Sequence, residues 1–478
     1  MFFRKKPTNQ VAVFNTATRE KGVFQPLRPG QVKMYSCGPT VYDYVHIGNL
    51  RSYVFSDIVR RTFEYAGYDV KHVMNFTDFG HLVSDGDEGE DKMTKGLRRE
   101  GKPLTMEAMR ELAALYINAY QHDREEMNIL KPHVMPQAAD HVRGMIAYIE
   151  VLMDKGFAYT THSGVYFDTA EFPAYGVLGG SASTEHSRIQ SNKEKKNPAD
   201  FALWKFNAEL GWDAPWGKGF PGWHIECTAM STRYLGKTFD IHTGGVDLAP
   251  VHHNNEIAQA EAANGKPLAR YWLHSEHVTI DAKRIGKSEG NAITLKQLVD
   301  KGISPLAYRY WLLGAHYRQK VNFTWEAVEA AQTALRRAWR VFTELKGNDS
   351  KENRVHDAYR TRFETALYDD FNTAEALAVL WDLLKDENVS DGEKRTTILS
   401  MDRVLGIGFA SAPARIEKLK LSVVTERDIP DDIQVLIAER EAARKAGDFA
   451  RADVLRDEIK TKEFQVEDTA DGPVVKRQ

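Results

Sequence analysis

The hydrophobic positions between residues 31 and 75 change their spacing twice. "QVKMYSCG" reads as a strand that ends at a glycine and a proline, and "YDVKHVMNFTD" reads as a second strand. Between them, "NLRSYVFSDIVRRTFEYAG" places Val54, Ile58 and Phe63 at helical spacing and stops at Gly67. A strand, a helix and a strand in this order form a βαβ unit, which predicts an α/β fold with a parallel, doubly wound sheet.

The spacing of hydrophobic residues also divides the rest of the chain into segments. Residues 104–155 are helical in pattern, and residues 156–210 read as short strands and loops that end in the charged "SNKEKKNPAD". We interpret that span as an insertion, after which "FDIHTGG" and "YWLHSEHVTI" predict further strands of the sheet. From about residue 325 helix follows helix, "SAPARIEKLKLS" reads as a boundary, and a charged helical pair comes next, in "QVLIAEREAARKAGDFARADVLRDEIKTK".

Composition limits the class of protein. A chain of 478 residues is too long for one hydrophobic core, so three or four domains are expected. No apolar run approaches the about 18 residues of a membrane span, and "MFFRKKPTNQ" has no apolar stretch behind its basic residues, so no secretory signal is expected. Two cysteines form no disulfide framework, which favours the cytoplasm. The net charge of −3 still allows local basic faces for nucleic acid.

Two glycine-containing motifs suit a nucleotide. The turn in "CGPTVYDYVHIGN" leads to His46, Gly48 and Asn49 at the mouth of the predicted helix, where backbone N–H groups favour phosphate and glycine permits close approach. Far downstream, "DAKRIGKSEGNAITL" carries Lys287 and Ser288 in a glycine-flanked loop, where a lysine can meet the phosphates of ATP. Taken alone, such motifs are more often an ordinary turn and a solvated loop.

The two cysteines, Cys37 and Cys227, point to a metal. "VHHNNEIAQAEA" reads as a helix start that places His252 and Glu256 four residues apart on one face, where imidazole and carboxylate can share one ion. With the two thiols they make a set of two sulfurs, one nitrogen and one oxygen, which suits zinc. The alternative is two inert core thiols and a histidine that caps a helix. The neighbouring His253 leaves the identity of the histidine ligand open.

The motifs in their order resemble one family. They run from about residue 31 to residue 470 as in the cysteinyl-tRNA synthetases, which are class I aminoacyl-tRNA synthetases: "CGPTVYDYVHIGNLR", "NFTD", "NPADFALWK", "GFPGWHIECTAM", "FDIHTGGVDL" with "HHNNEIAQ", "DDFNTAEAL" and "EREAARKAGDFARADVLRDEI". Each is modest alone, but the ordered set is highly specific. The resemblance implies ATP-dependent ligation of L-cysteine to tRNA(Cys) through a cysteinyl-adenylate, with no membrane and no stable protein partner evident.

The resemblance also assigns roles to single residues. One zinc ion per chain, which recognises the substrate thiolate, is implied at Cys37, Cys227, His252 and Glu256. Because four ligands already fill a tetrahedron, the substrate sulfur needs a fifth position or a loosened Glu256. The cysteine pocket is implied at Gly38, Thr40, Trp223 and His224. ATP, bound with Mg²⁺, is implied at His46, Gly48, Asn49, Gly245, Asp247, Lys287 and Ser288, of which His46, Asn49 and Lys287 are the catalytic groups.

The fold implied is a Rossmann-like catalytic domain split by an insertion and followed by an α-helical bundle and a small C-terminal domain. The predicted division is residues 1–125 for the first half of the catalytic domain, 126–210 for the inserted connective domain, 211–280 for the second half, 281–324 for the lysine–serine loop and stem-contact region, 325–418 for the anticodon-side bundle and 419–478 for the C-terminal domain.

The sequence departs from the family pattern in places. The family's lysine–methionine–serine–lysine–serine loop reads "RIGKS" at residues 284–288, where the second lysine and the last serine match, so Lys287 is the safer assignment. "TDFGHLVSDGDEGEDKM" is unusually acidic, but Gly89 stands where a calcium loop needs a ligand, which indicates a solvated loop beside the active site. In "ALRRAWR", three arginines around Trp339 suit RNA, or else form an amphipathic helix whose Trp339 is core.

Two other functions stay open at this point. A related ligase joins cysteine to a glucosamine–inositol in mycothiol synthesis, but it lacks a full anticodon-binding tail, and the residues after 325 argue against it. A catalytically inactive paralogue that acts as an RNA-binding or regulatory protein is favoured only by the altered "RIGKS" loop. The presence of the predicted ligands and of His46 and Lys287 argues against that function.

Overall fold

Strands and helices alternate in the first part of the chain, and helices dominate the second. The structure, a computed structural model, describes residues 10–79, 92–179, 194–285, 290–346, 354–420, 429–462, 464–469 and 472–477. Its strands are β1 (Ala12–Asn15), β2 (Glu20–Val23), β3 (Gln31–Ser36), β4 (Asp69–Met74), β5 (Ala158–Thr160), β6 (Gly164–Phe167), β7 (Phe201–Phe206), β8 (Gly219–Pro221), β9 (Phe239–Gly245), β10 (Ala269–Ser275), β11 (Val278–Ile280), β12 (Lys283–Arg284), β13 (Val321–Phe323), β14 (Phe464–Thr469) and β15 (Gly472–Arg477). Its α-helices are α1 (Ile47–Tyr65), α2 (Lys92–Arg99), α3 (Met106–Glu126), α4 (Val142–Asp154), α5 (Trp223–Leu235), α6 (Asn254–Asn264), α7 (Leu295–Asp300), α8 (Pro305–Leu313), α9 (Trp325–Glu344), α10 (Asp357–Tyr368), α11 (Thr373–Lys385), α12 (Asp391–Leu405), α13 (Ala412–Lys420), α14 (Asp431–Lys445) and α15 (Phe449–Thr461).

The central sheet has four parallel strands in the order β10–β9–β3–β4. From β3 the chain passes through α1 to β4 on one side, and from β9 it passes through α6 to β10 on the other. The direction of winding therefore reverses between β3 and β9, and the carboxyl ends of two such strands open a crevice. Ser36 ends β3 and Gly245 ends β9, so the segments that follow both strands meet at this edge. The predicted α/β fold with a doubly wound parallel sheet is confirmed.

Each face of the sheet is covered because successive strand residues point to opposite sides. Val32 and Met34 pack with the apolar side chains of α1 in a core that continues into the helices after residue 305. Tyr35 and Val73 pack with α5 and α6 in a second core, which continues into the insertion. The sheet thus connects the two larger parts of the molecule through its opposite faces.

The insertion between β4 and α5 contains α2, α3, α4 and an antiparallel sheet of four strands, in the order β5–β6–β7–β8. The last of these strands, Gly219–Pro221, pairs with β7 although it lies beyond residue 210. The predicted division into six parts remains a prediction.

The helical second half continues through α13, and Trp339 lies in its core. Most of "SAPARIEKLKLS" forms α13, in which Ala412 is fully buried, and the domain boundary predicted in this segment stays a prediction. Pro413 lies in the first turn of that helix, where a missing N–H removes no internal hydrogen bond. Trp339 on α9 is 1% exposed and its Nε1 donates to the carbonyl of Ile407 at 3.0 Å, so it belongs to the core.

The end of the chain has a core of its own. The predicted charged helical pair is present as α14 and α15, and Ile433 and Ile459 pack there with Phe464 of a hairpin formed by β14 and β15. The hairpin was not predicted. Among the helices of the described residues, none is both long enough and apolar enough to cross a membrane.

Candidate functional site

Side chains that can bind a metal converge at the carboxyl edge of β3 and β9. Cys37 follows β3, Cys227 lies on α5, and His252 and Glu256 come from the turn and the helix after β9. Their ligand atoms all lie within 4.8 Å of one another. The Sγ of Cys37 is 3.9 Å from the Sγ of Cys227 and 3.7 Å from Oε1 of Glu256. The structure thus brings together the four residues that the sequence singled out.

His252 shows that these residues fit a metal. Its Nε2 is buried and, within the described part of the chain, makes no hydrogen bond, although it lies 3.1 Å from Oε1 of Glu256. Its Nδ1 is 2.9 Å from Nδ1 of His224, which leaves Nε2 directed at the carboxylate and the thiols. Two sulfurs, an imidazole nitrogen and a carboxylate oxygen are donors that zinc accepts.

His253 offers an alternative histidine ligand. Its Nε2 is 3.4 Å from Sγ of Cys37, and a second set of Cys37, His242, His253 and Glu256 also has its ligand atoms within 4.8 Å. In that set, however, Nε2 of His242 is 3.0 Å from Oε2 of Glu256, so the two groups already satisfy each other. The first set contains both thiols and is the better donor set for zinc.

The electrostatics of the site favour a cation. A hydrogen bond from Cys37 lowers the pKa of Cys227 to about 7, while burial and Cys227 raise the pKa of Cys37, so the two thiols share one negative charge. Burial by itself raises the pKa of Glu256, but His242 and His252 outweigh it and hold that pKa at about 2. A thiolate and a carboxylate in one buried site are ready anionic ligands.

Further histidines around the site were missed from the sequence. His242 on β9 stacks on Trp272 with ring centroids 4.5 Å apart, and His274 on β10 has its Nε2 2.7 Å from Nδ1 of His253. β9 is buried throughout and β10 is buried from Trp272 to Ser275, where apolar residues are the rule. A polar residue in the middle of such a strand is the signal that could have found them.

The predicted cysteine-pocket residues adjoin the metal set. Gly38 and Thr40 follow Cys37, and a Cβ at Gly38 would collide with the backbone carbonyl of Asn75. The half-buried Trp223 has its ring centroid 4.4 Å from that of His252, and His224 contacts the same imidazole. Trp223 and His224 therefore lie beside the cluster and Gly38 follows Cys37, while Thr40 pairs with Thr77.

Five of the seven predicted ATP residues, His46, Gly48, Asn49, Gly245 and Asp247, lie at the start of α1 and at the end of β9. His46 caps α1, since its Nδ1 accepts from the N–H of Asn49 at 3.2 Å, while the Asn49 side chain accepts from the N–H of His46 at 3.3 Å. A Cβ at Gly48 would lie 3.1 Å from the His46 ring, which explains the glycine. Gly245 ends β9, and the exposed Asp247 follows in a short turn.

Lys287 and Ser288 lie outside the described residues, as does most of the acidic stretch with Gly89. The segment that follows them can be placed. The N–H of Ile47 donates to the carbonyl of Ile293 at 2.8 Å, and His46 pairs with Thr294. The chain downstream of the lysine–serine loop therefore joins the start of α1.

Solved structures show the same fold. Mycobacterium tuberculosis methionyl-tRNA synthetase in complex with methionyl-adenylate covers 83% of this chain and 95% of its own, with a TM-score of 0.52 and 15% identity. The Agrobacterium radiobacter LeuRS–tRNA–LeuAMS ternary complex covers 83% and 86%, with a TM-score of 0.58 and 11% identity. At such identities the likeness concerns the fold alone.

Sequence comparisons are more specific. Residues 23–333 match the tRNA synthetases class I (C) catalytic domain, residues 362–409 the DALR domain and residues 426–473 the cysteinyl-tRNA ligase anticodon binding domain. Cysteine–tRNA ligase 1 of Burkholderia lata is 44% identical over 97% of this chain and 96% of its own. The cysteine–tRNA ligase of Treponema denticola is 39% identical over 95% and 97%. The chain therefore belongs to the cysteine–tRNA ligases, a family of class I aminoacyl-tRNA synthetases.

Proposed function

We propose that this chain ligates L-cysteine to tRNA(Cys) with ATP, through a cysteinyl-adenylate, and that one zinc ion held by Cys37, Cys227, His252 and Glu256 recognises the substrate thiolate. The observation that carries the proposal is the convergence of those four ligand atoms at the switch point of the sheet. The names of the relatives agree with it, since each is a cysteine–tRNA ligase.

Neighbouring histidines prepare the ligands. His242, whose Nε2 is 3.0 Å from Oε2 of Glu256, holds the carboxylate so that Oε1 stays beside Cys37. His224 fixes the ring of His252 through its Nδ1. Bound zinc would stabilise sulfur as thiolate near neutral pH, whereas a serine hydroxyl loses its proton far less easily. Recognition of a specific polar group can reject analogues by on the order of 10⁴–10⁵, so no separate editing site is required.

The adenylation step needs no enzyme nucleophile. The carboxylate of cysteine attacks the α-phosphorus of ATP, and pyrophosphate leaves with Mg²⁺, so the protein positions the reactants and stabilises charge. Because Nδ1 of His46 accepts from the Asn49 N–H, the proton of a neutral ring sits on Nε2, which can donate to a phosphate oxygen. We assign Lys287 and Ser288 to the pyrophosphate, Gly48 to close approach of the nucleotide, and Gly245 and Asp247 to the adenosine.

The pocket for the substrate cysteine is proposed beside the four metal ligands, at the start of α5. Trp223 and His224 adjoin His252, and Gly38 and Thr40 adjoin Cys37. An indole in this place excludes water from the sulfur that the site must recognise. Water exclusion strengthens every charge interaction inside the pocket.

The second half of the chain is proposed to hold tRNA(Cys). The match of residues 426–473 to an anticodon binding domain supports this, and so do Arg337 and Arg340, exposed on α9 beside the half-buried Arg336. The same match argues against the ligase that uses an amino sugar.

Two assays test the proposal. Purified protein should contain about one zinc per chain and show cysteine-dependent ATP–pyrophosphate exchange, with serine a very poor substitute. It should then charge tRNA(Cys) with cysteine. No exchange by metal-replete protein would contradict the proposal. Exchange followed by transfer to an amino sugar, and not to tRNA, would favour the rival ligase.

A further inference from the structure

Helix α2 makes two contacts that the function above does not use. At its start, Nζ of Lys92 lies 5.1 Å from the centroid of the Trp223 ring. At its end, Arg99 contacts the loop that precedes His46. One short helix therefore contacts both the proposed cysteine pocket and the proposed nucleotide motif.

The contact at the start of α2 is a cation–π interaction. An ammonium within about 6 Å of an indole centroid is attracted by the negative face of the ring, and tryptophan gives the strongest such attraction among the aromatic residues. The Trp223 ring also packs on the ring of His252, 4.4 Å away. Lys92 therefore restrains a pocket side chain that packs directly on a proposed zinc ligand.

The contacts at the end of α2 fasten the loop. Nη1 of Arg99 is 2.6 Å from Oδ2 of Asp43, and its Nη2 donates to the carbonyl of Tyr42 at 2.9 Å. Tyr116 of α3 supports the same guanidinium, since Nη2 donates to its hydroxyl at 2.7 Å. Asp43 is three residues before His46, so the guanidinium sets the path by which the chain enters α1.

The middle of α2 is fitted to the same loop. A Cβ at Gly96 would lie 2.9 Å from the carbonyl oxygen of Tyr42 and 2.8 Å from Cδ2 of Leu112, so only glycine permits this approach. Met93 and Leu97 are fully buried on the same helix. Since the apolar side of α2 is packed into the core, its two cationic ends are held at a fixed separation.

We propose that α2 positions the two substrate subsites relative to each other. Lys92 is a positioning residue for the amino acid, acting through Trp223, and Arg99 is a positioning residue for ATP, acting through Tyr42 and Asp43. This inference rests on the function proposed above. Neither side chain takes part in the chemistry, so the expected signature is a change in one Michaelis constant at a time.

Four variants test this in ATP–pyrophosphate exchange. Lys92→Met keeps the aliphatic stem and removes the charge, and it should raise the KM for cysteine about three- to tenfold while the KM for ATP and the zinc content stay unchanged. Lys92→Arg keeps a cation over the ring and should restore the KM for cysteine to within about twofold. Arg99→Gln should raise the KM for ATP and spare that for cysteine. Lys95→Met, on an exposed position of α2, is the matched control and should change neither.

The outcomes separate positioning from mere stability. A parallel rise of both KM values in Lys92→Met or in Arg99→Gln, or no change at all, would overturn the proposal. So would a failure of Lys92→Arg to restore cysteine affinity. Calorimetric titration with L-cysteine alone distinguishes the two levels of inference. Suppose that the wild type binds cysteine more tightly than Lys92→Met does but shows no exchange. The proposed function would then be contradicted, and the role of Lys92 in cysteine binding would stand.

Discussion

Two buried polar clusters of this molecule differ in how completely their atoms are satisfied. The metal cluster consists of Cys37, Cys227, His252 and Glu256 at the edge of the sheet. The second cluster, which we name the Asp57 hub, consists of Asp57, Arg61 and Arg309 and joins α1 to α8. Apart from the half-buried Cys37, the side chains of both clusters are buried. Their hydrogen bonding differs in a way that supports the proposed metal site in the first.

Every part of the hub is paired. Oδ2 of Asp57 accepts from Arg61 at 2.8 Å and from Arg309 at 2.7 Å, and Oδ1 accepts from the N–H of Leu130 at 2.9 Å. The other guanidinium nitrogens of Arg61 and Arg309 donate to backbone carbonyls, which belong to Met127, Asn128, Arg403 and Leu405. In the metal cluster, by contrast, Nε2 of His252 has no hydrogen bond within the described residues. A satisfied buried cluster holds elements together, whereas an imidazole nitrogen without a hydrogen bond beside two thiols and a carboxylate suits a metal ion.

The largest effect is expected from Cys227→Ser. The variant removes a soft ligand, so zinc should be lost and cysteine-dependent exchange should fall by on the order of 10³–10⁴-fold, because the metal contributes several kcal/mol of charge stabilisation. Metal analysis and exchange assays on the same sample measure both. Thr228→Ser is the control, since Thr228 is equally buried on α5 and its hydroxyl bond to the His224 carbonyl is retained. Full zinc and full exchange in Cys227→Ser would remove the metal cluster from the mechanism.

The hub should respond in the opposite way. Asp57→Asn leaves two buried guanidinium groups without a counter-charge, and we expect it to destabilise the fold by about 3–5 kcal/mol. Urea unfolding measures this, and the zinc content and KM values of the folded fraction should not change. Replacing Asp57 by Leu together with Arg61→Met and Arg309→Met should recover part of the stability, because no buried charge is then left without its partner. A stable Asp57→Asn protein that loses zinc would erase the distinction between the clusters.

The sequence predicted what depends on local spacing and residue chemistry. The βαβ unit from β3 to β4 follows from the period of the apolar residues, and Cys37, Cys227, His252 and Glu256 follow from donor type and the resemblance. Arg309 was not linked to Asp57, because 252 positions separate them and nothing local in either segment indicates a partner. The helix α13 was not predicted, since its proline and small residues are typical of a loop and its helical form depends on packing, as at the buried Ala412.

A smaller effect is expected from His242→Phe. The phenyl ring preserves stacking on Trp272 but cannot hold Oε2 of Glu256, so zinc affinity should fall about 10- to 100-fold while all four ligands remain. Competition with a chromogenic chelator measures the dissociation constant. His162→Phe, at an exposed histidine of the insertion, should leave it unchanged. An unchanged affinity in His242→Phe would show that Glu256 does not depend on its neighbour for orientation.

A smaller effect still is expected from Trp339→Phe. This variant tests whether a neutral buried hydrogen bond, from Trp339 to the Ile407 carbonyl, contributes only to stability, as the hub does. The phenyl ring keeps most apolar contacts on α9 but loses the hydrogen bond to the Ile407 carbonyl, which should lower stability by about 1–2 kcal/mol. The affinity for tRNA should not change, because the indole is in the core.

Arg340→Gln, at an exposed position next to Trp339, is the matched comparison. It should leave the free energy of unfolding within about 0.5 kcal/mol and weaken tRNA binding, with a shallower dependence on salt. Urea unfolding and tRNA titration at two salt concentrations separate the two variants. If Trp339→Phe weakened tRNA binding at unchanged stability, the indole would have to leave the core to meet the nucleic acid. The contrast between satisfied and ligand-binding clusters would then fail at its simplest test, because a fully paired buried side chain would be serving a ligand.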